Sequence, residues 1–298
     1  MSTQITTALR QTYSADVALL SQQKASRLFQ ACRTETLNAE FGYFDQVGSV
    51  TAVERFTRHA DTPFTEIPFS RRQVRMRDFE LSDIIDKQDK VRMAFDPGSP
   101  TMLAFAAAQG RQLDQTVIDA YFGTAYTGKT GATSTVFLAG NQIANNYVES
   151  GGAVSSGLTV AKLRKAKELL DAAEAGVDPD EARFIACTSH EVTNLLRQTE
   201  ITSADYNNVK ALVNGDVGTF MGFKFIRTEL VPLNASSYRR VMAWVKSGVL
   251  IATGDPGETN AEKDPTKGFN TRIHTKFTVG ATRMEEAKAV EIICDPAA

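Results

Sequence analysis

The chain has 298 residues, of which 42% are hydrophobic and 23% charged; this is the composition of a folded globular protein and excludes wholesale disorder and a fibre. A formal net charge of −2 and a pI near 6.0 argue against a protein whose main task is to coat nucleic acid electrostatically. No apolar run approaches the roughly 20 residues of a membrane span, and the N-terminus lacks the basic start and greasy core of a secretory signal.

Residues 1–50 are polar and loosely patterned. Leu19, Leu20, Leu28 and Phe29 predict an amphipathic helix, which either packs on a neighbouring subunit or covers its own domain. Asp61 to Phe69 reads as extended, because Pro63 and Pro68 exclude helix and Ile67 and Phe69 alternate. Charge then separates into blocks: Arg71, Arg72, Arg75 and Arg77, followed by Asp78, Glu80, Asp83, Asp86 and Asp89, interrupted by Lys87. A two-stranded ribbon with one basic and one acidic arm makes a poor core of its own. Either it lies across a partner subunit, where opposite charges set register, or it is a solvated hairpin whose ion pairs contribute little. The candidate subunit-interface residues are Arg71, Arg72, Arg75, Arg77, Asp83, Asp86 and Asp89.

Ser99 as cap, Pro100 at the first helical position, and apolar residues at Met102, Ala106, Leu113, Val117 and Tyr121 predict a long helix to Phe122. Gly110 weakens it by about 1 kcal/mol relative to Ala without ending it. Directly afterwards, residues 123–130 match the phosphate-binding pattern G-x-x-x-x-G-K-[ST]. That chemistry needs a strand before the loop and a helix after it. Here a helix precedes, and Gly131 with β-branched residues follows, so the segment reads as a surface turn.

Thr135 to Leu138 is expected to be a strand and 150–157 a flexible boundary. Residues 159–175 predict a second helix, capped by Thr159 and ended by Gly176. Its stripe is Leu163, Ala166, Leu170 and Ala173, and Lys162, Arg164, Lys165, Lys167, Glu168 and Asp171 read as its solvated face. Ala182 to Cys187 reads as a buried strand, and Thr188 with Glu191 as a capping box opening a helix. Further strands are expected at 219–226, 240–245, 249–252, 272–283 and 289–294, with a loop over 253–268.

Chemistry is sparse. Cys32, Cys187 and Cys294 are odd in number and far apart, which fits folding in a reducing cytoplasm. Cys187 and His190 invite a thiol–imidazole reading, but Cys187 sits in an apolar run where free Cys is ordinary core. His59, His190 and His274 have no zinc-ligand spacing. No catalytic residue, cofactor or metal ligand is assigned.

The ordered set of segments resembles the major capsid proteins of tailed bacteriophages, with the Hong Kong 97-type fold. Asp61 through Arg71-Arg72 to Asp83 and Asp89 is similar to the family's extended loop. Phe95-Asp96-Pro97 and the helix with Gly110 to Asp114 and Val117 to Ala120 resemble its spine helix. Gly280 to Arg283 and Ala289 to Ile293 resemble its closing strands. The resemblance implies an α+β fold: an N-terminal arm (1–54), an extended β-hairpin loop (55–97), a peripheral domain with the spine helix (98–144), an α/β axial domain (145–255) and return strands of the peripheral domain (256–298). It implies self-assembly into pentamers and hexamers forming an icosahedral head shell around phage DNA, in the virion after assembly in the bacterial host cytoplasm. Implied partners are copies of itself, a separate scaffold protein, a portal at one vertex and non-specifically contacted DNA, with no membrane. Because few residues precede the loop, either a separate scaffold protein or a chain already cleaved is expected, and the initial Met favours the first. Covalent crosslinking is not assigned; Lys87 and Lys90 near the loop are insufficient grounds. An encapsulin-like compartment shell, a P-loop nucleotide hydrolase and an adhesin or tail-type protein are the alternatives.

Overall fold

The computed structural model describes residues 20–54, 56–58, 61, 64–86, 88, 98–149, 151–178, 181–198, 218–255 and 257–297. In chain order the elements are β1 (Arg33–Thr36), β2 (Phe41–Val47), β3 (Phe69–Arg75), β4 (Arg77–Ile85), α1 (Gly98–Phe122), β5 (Ala125–Thr127), β6 (Thr133–Thr135), β7 (Gln142–Ile143), α2 (Val160–Ala172), β8 (Arg183–Cys187), α3 (Ser189–Leu196), β9 (Thr219–Phe220), β10 (Phe223–Arg227), β11 (Arg239–Val245), β12 (Val249–Thr253), β13 (Glu258–Asp264), β14 (Asn270–Arg283) and β15 (Ala289–Cys294). Few helices and several sheets make this an α+β chain, as the sequence led us to expect.

The chain divides into two compact units. The smaller comprises the chain up to Ser26 with Asp78–Gln112 and Asp255–Thr278; the larger comprises Arg27–Arg77, Leu113–Gly254 and Val279–Ala298.

In the larger unit a six-stranded sheet runs β7-β15-β11-β8-β10-β9. Strand alternation splits β11 between two layers. Val241, Ala243 and Val245 face a core with Leu163, Ala166 and Leu170 of α2 and Leu195 of α3. Trp244 instead lies 6.1 Å from the ring of Tyr121 in α1, and its indole donates to Ala31 O at 3.0 Å. Tyr121 is fully buried, and its hydroxyl lies 2.9 Å from Ala243 O and 2.8 Å from Val290 O, two residues paired across β11 and β15. Thr159 caps α2 by accepting from the Lys162 amide, and Thr188 with Glu191 closes the capping box of α3. β1 pairs in parallel with β12, and β12 pairs antiparallel with residues 279–283 of β14.

In the smaller unit β13 pairs antiparallel with residues 270–276 of β14, and β4 also pairs with β14. Phe79 stacks on Phe277 at 5.4 Å, and Thr278 Oγ1 donates to Asp78 at 2.6 Å. Gly110 has a packing reason here. A Cβ there would lie 2.7 Å from Ser26 N, so only glycine lets the 25–26 backbone cross α1 so closely.

Several expectations need correction. Residues 20–28 are not helical, although Leu19 lies outside the described residues. The Arg27 and Leu28 amides donate to the Asp114 carboxylate at 3.0–3.2 Å, so a distant side chain takes donors that a local helix would have used. The long helix begins at Gly98, just before the expected cap Ser99, and Phe95-Asp96-Pro97 lies outside the described residues. The strand expected at 135–138 is β6, ending at Thr135. The loop expected over 253–268 contains β13, a strand disguised by its polar sequence Glu-Thr-Asn-Ala-Glu-Lys-Asp. Lys162 is not on a solvated face: it is fully buried, and its ammonium donates to Asn145 O, Ser156 O, Gly157 O and Ile293 O at 2.7–3.0 Å. Burial lowers its pKa from the usual lysine value, offset in part by Cys294 and Asp295.

Glu181 ties three parts of the larger unit together. It accepts from Ser247 Oγ at 2.5 Å, Gly176 N at 3.1 Å and Lys288 Nζ at 3.3 Å. Burial pushes its carboxyl up, but these donors outweigh it and hold the pKa below the usual range. A carboxyl depressed in the folded state contributes stability above its unfolded pKa of about 4.3, and that stability is lost as pH falls through the folded value. Urea unfolding midpoints measured from pH 7 downward are therefore expected to fall below about pH 4.5, with a shallower acid limb in Glu181→Gln than in wild type.

Candidate subunit interface

β2 and β3 form an antiparallel hairpin, with Phe41 opposite Arg75 and Val47 opposite Phe69, and residues 48–68 connect them. β5 and β6 extend the sheet beyond β3. The hairpin's apolar residues divide by position. At its root, Val74 and Met76 are buried with Leu250, Ala252 and Met284, and Leu37 and Phe44 pack against them. Towards and through the connection, Tyr43, Val47, Val50, Val53, Ile67 and Phe69 are exposed, Phe56 is 86% exposed and Phe64 fully so. Exposed apolar residues also occur elsewhere, at Met102, Leu103, Val136, Val154 and Phe269 among others, but they are densest along this arm.

The two charge blocks do not pair with each other as a ribbon. β3 pairs with β2, while β4 pairs with β14. Opposite charge does not dictate backbone pairing. The sheet is set by which face can be buried, and Val74 and Met76 bury one face of β3.

Alternation also sorts the arginines. Arg72 points inward with Val74 and Met76, while Arg71, Gln73, Arg75 and Arg77 take the other face. Arg72 donates to Met284 O at 2.8 Å and pairs with Glu286 at 3.2 Å. Burial lowers its pKa, and Glu286 opposes that shift. Arg71 pairs with Asp45 at 2.5 Å across the hairpin, and this hydrogen bond lowers the Asp45 pKa. Both side chains are substantially exposed, so the pair contributes little stability. The Arg75 guanidinium lies 5.8 Å from the Phe41 ring. Asp83 and Asp86 are exposed in the smaller unit, and Asp83 accepts from the Ile84 amide at 2.9 Å. Asp89, Lys87 and Lys90 lie outside the described residues.

The anchor of the arm is a cluster that sequence reasoning missed. Arg283 has no exposed surface. Its guanidinium donates to Tyr121 O and to Gly123 O at 3.0 Å, pairs with Glu286 at 2.5 Å, and lies 5.0 Å from the Phe137 ring. Asn141 donates to Glu286 O at 2.8 Å and Ala289 O at 3.0 Å, and Gln46 of β2 donates to Met284 O at 3.0 Å. The one sequence signal was the spacing of Arg283 and Glu286, three residues apart just past a strand.

The phosphate-loop pattern folds as the context argument requires. α1 ends at Phe122, β5 follows, and residues 128–131 make the turn into β6. Gly128 (φ +95°) and Gly131 (φ +70°) are turn glycines, and the Gly131 amide donates to Gly128 O. No helix N-terminus stands behind Lys129. Cys187 is fully buried, with burial pushing its thiol up to about 12 and Glu191 and Cys294 adding to that, while the His190 ring sits 3.2 Å from the Asn194 amide. Among the described residues no group of three or more His, Cys, Asp and Glu is placed to hold a metal, and no helix is long and apolar enough to cross a membrane.

Replacing Arg283 by Met is expected to cost about 1–3 kcal/mol in urea unfolding, because it leaves the Tyr121 and Gly123 carbonyls without their donor, while Glu286 keeps Arg72 as a partner. Lys129→Ala is expected to leave the melting temperature within about a degree of wild type, since surface changes away from such clusters fall within about 0.5 kcal/mol. Millimolar ATP is expected to raise the melting temperature of neither protein.

The model of a family described as phage capsid protein matches residues 5–296. Among curated proteins, none matches this sequence. Solved structures share the fold at low identity. The capsid of cyanophage P-SCSP1u aligns with a TM-score of 0.74 at 14% identity, covering 99% of this chain and 95% of that one. The capsid of Ralstonia phage GP4 aligns with a TM-score of 0.74 at 10% identity, covering 96% and 94%. The capsid of Helicobacter pylori bacteriophage KHP30 aligns with a TM-score of 0.74 at 9% identity, covering 99% and 98%.

Proposed function

Because the chain belongs to the phage capsid protein family and has the Hong Kong 97-type capsid fold, we propose that it builds its shell through the β2–β3 arm, from pentamers and hexamers that tile an icosahedral head around DNA. The observation that carries this reading is the run of exposed apolar side chains from Tyr43 to Phe69, which has a buried root and no cover within the described residues.

Physically, the arm is built to bind. Each large apolar side chain removed from water contributes about 1.5–3 kcal/mol, and the gain is realised only against another surface. Val74, Met76, Arg72 and Gln46 hold the root to the larger unit, so the arm's direction is set before any partner arrives and less ordering remains to be done on contact. We further take 145–255 as the axial domain, 98–144 and 256–298 as the peripheral domain, and the β2–β3 hairpin with its connection as the arm, in place of the expected 55–97, because β4 pairs with β14. Assembly in the host cytoplasm fits three buried, unpaired cysteines.

Phe56→Ser with Phe64→Ser tests the reading. Both side chains are exposed, so far-UV circular dichroism and the melting temperature are expected to match wild type, while closed shells disappear from negative-stain micrographs. Wild-type yields of normal shells from the double variant would refute the role of the arm.

A further inference from the structure

Beside the arm's root, the larger unit holds a second feature that its fold does not use. A cleft of about 340 Å³ is lined by Gln73, Arg75, Arg77, Asp119, Thr124 and Tyr126 among others. Alternation along the chain puts Gln73, Arg75 and Arg77 on one face. Arg75 and Arg77 are both exposed, and neither makes an ion pair among the described residues. The cleft's one carboxylate, Asp119, is already engaged by the Gln115 amide at 2.8 Å.

We infer, resting on the assembly reading above, that this cleft receives the acidic segment of a second copy of the chain, with Asp83 and Asp86 pairing to Arg75 and Arg77. Two unpaired guanidiniums in one cleft are a fork-shaped donor set suited to carboxylates. The chain presents matching acceptors: Asp83 and Asp86 are exposed and form no ion pair among the described residues. β4 is extended from Arg77 to Ile85, so Asp83 lies about 20 Å along the strand from Arg77 at about 3.3 Å per residue, beyond ion-pair reach within that strand. A row of phosphates is the poorer occupant, because Asp119 leaves the lining with two cations against one anion and the chain's net charge is −2.

The arrangement is head to tail: the basic face of one copy meets the acidic segment of the next, which is the contact type that closes rings. The apolar arm supplies affinity, and the charge pairing supplies register and rejects like-on-like contacts.

The test is charge reversal in the full chain, scored by shell yield in micrographs and by sedimentation. Arg75→Glu with Arg77→Glu, and separately Asp83→Lys with Asp86→Lys, are each expected to lower shell yield at least tenfold. Combining all four is expected to restore most of it. Either pair alone assembling like wild type overturns the inference, and so does a folded quadruple variant that stays unassembled. Should a reversal pair fail to fold, Arg75→Gln with Arg77→Gln replaces it. Wild-type assembly should then weaken as salt rises and screens the pairs, while the neutral variant's remains flat; parallel salt curves overturn the inference. Normal shells that fail to retain DNA in the arginine variant would assign the cleft to phosphate and also overturn it. Wild type that forms neither shells nor ring-sized oligomers ends the assembly reading itself, whereas wild-type shells with indifferent reversals end this pairing alone.

Discussion

One buried guanidinium fixes how the larger unit is put together. Arg283 stands at the end of β14 with no exposed surface, and its donors reach the carbonyls that close α1, the carboxylate of Glu286 and the face of Phe137. Taking such a charge out of water is costly unless every donor is placed well. A lysine would bring three rotatable donors on a flexible stem, where this site uses a planar fork reaching in several directions at once. Glu286 is shared, because it also pairs with Arg72 in the hairpin. The end of the long helix, the turn after β14 and the root of the arm are therefore settled by one charge network.

That network explains why the arm can be apolar without being loose at its base. A long hairpin by itself is marginal in water. Here its first turns of strand are clamped by Arg72, Gln46 and a small cluster around Val74 and Met76, and its greasy residues are kept for the distal part. On the proposed reading, folding and association draw on different residues: Trp244, Tyr121, Leu163 and Ile185 are fully buried inside one chain, whereas Phe56 and Phe64 are exposed among the described residues. A subunit of this kind is able to fold first and assemble afterwards.

Much of the fold was legible because local signals agreed with tertiary burial. The helix stripe of α2, the Thr188–Glu191 capping box, the alternation within β14 and the continuous apolar runs of β11 and β15 are each legible within a few residues. The course of the chain through the phosphate-loop match was legible for the same reason, since helix, turn and strand were readable around it. The failures share a different cause. The non-helical course of 20–28 depends on Asp114, far along the chain. β13 is polar apart from Ala261 and owes its pairing to β14. Lys162 looks like any surface lysine, and only the carbonyls of a loop and of the last strand reveal that it is caged. At the candidate interface the arginine block was visible but its division was not. A period of two already separates Arg72 from Arg75 and Arg77, and treating the block as one patch concealed that one member is a strut while those two make no ion pair among the described residues.

An exposed apolar arm is also a hazard, because a sheet edge and a greasy surface invite wrong partners. β2 is the outer strand of its sheet, and the charges along this hairpin lie where they limit that risk. Asp45 and Arg71 cross it on the exposed side, Arg75 sits by Phe41, and Pro68 interrupts the chain just before β3. Such charges add little to the stability of the monomer. Their effect is on choice: an incoming strand that meets them without complementary charge must desolvate them unpaid, while one carrying carboxylates in register does not. Apolar area alone would give a sticky subunit with no preferred neighbour. On the proposed reading, charge placed along the same arm converts that stickiness into one geometry, which is what a closed shell made from identical copies requires.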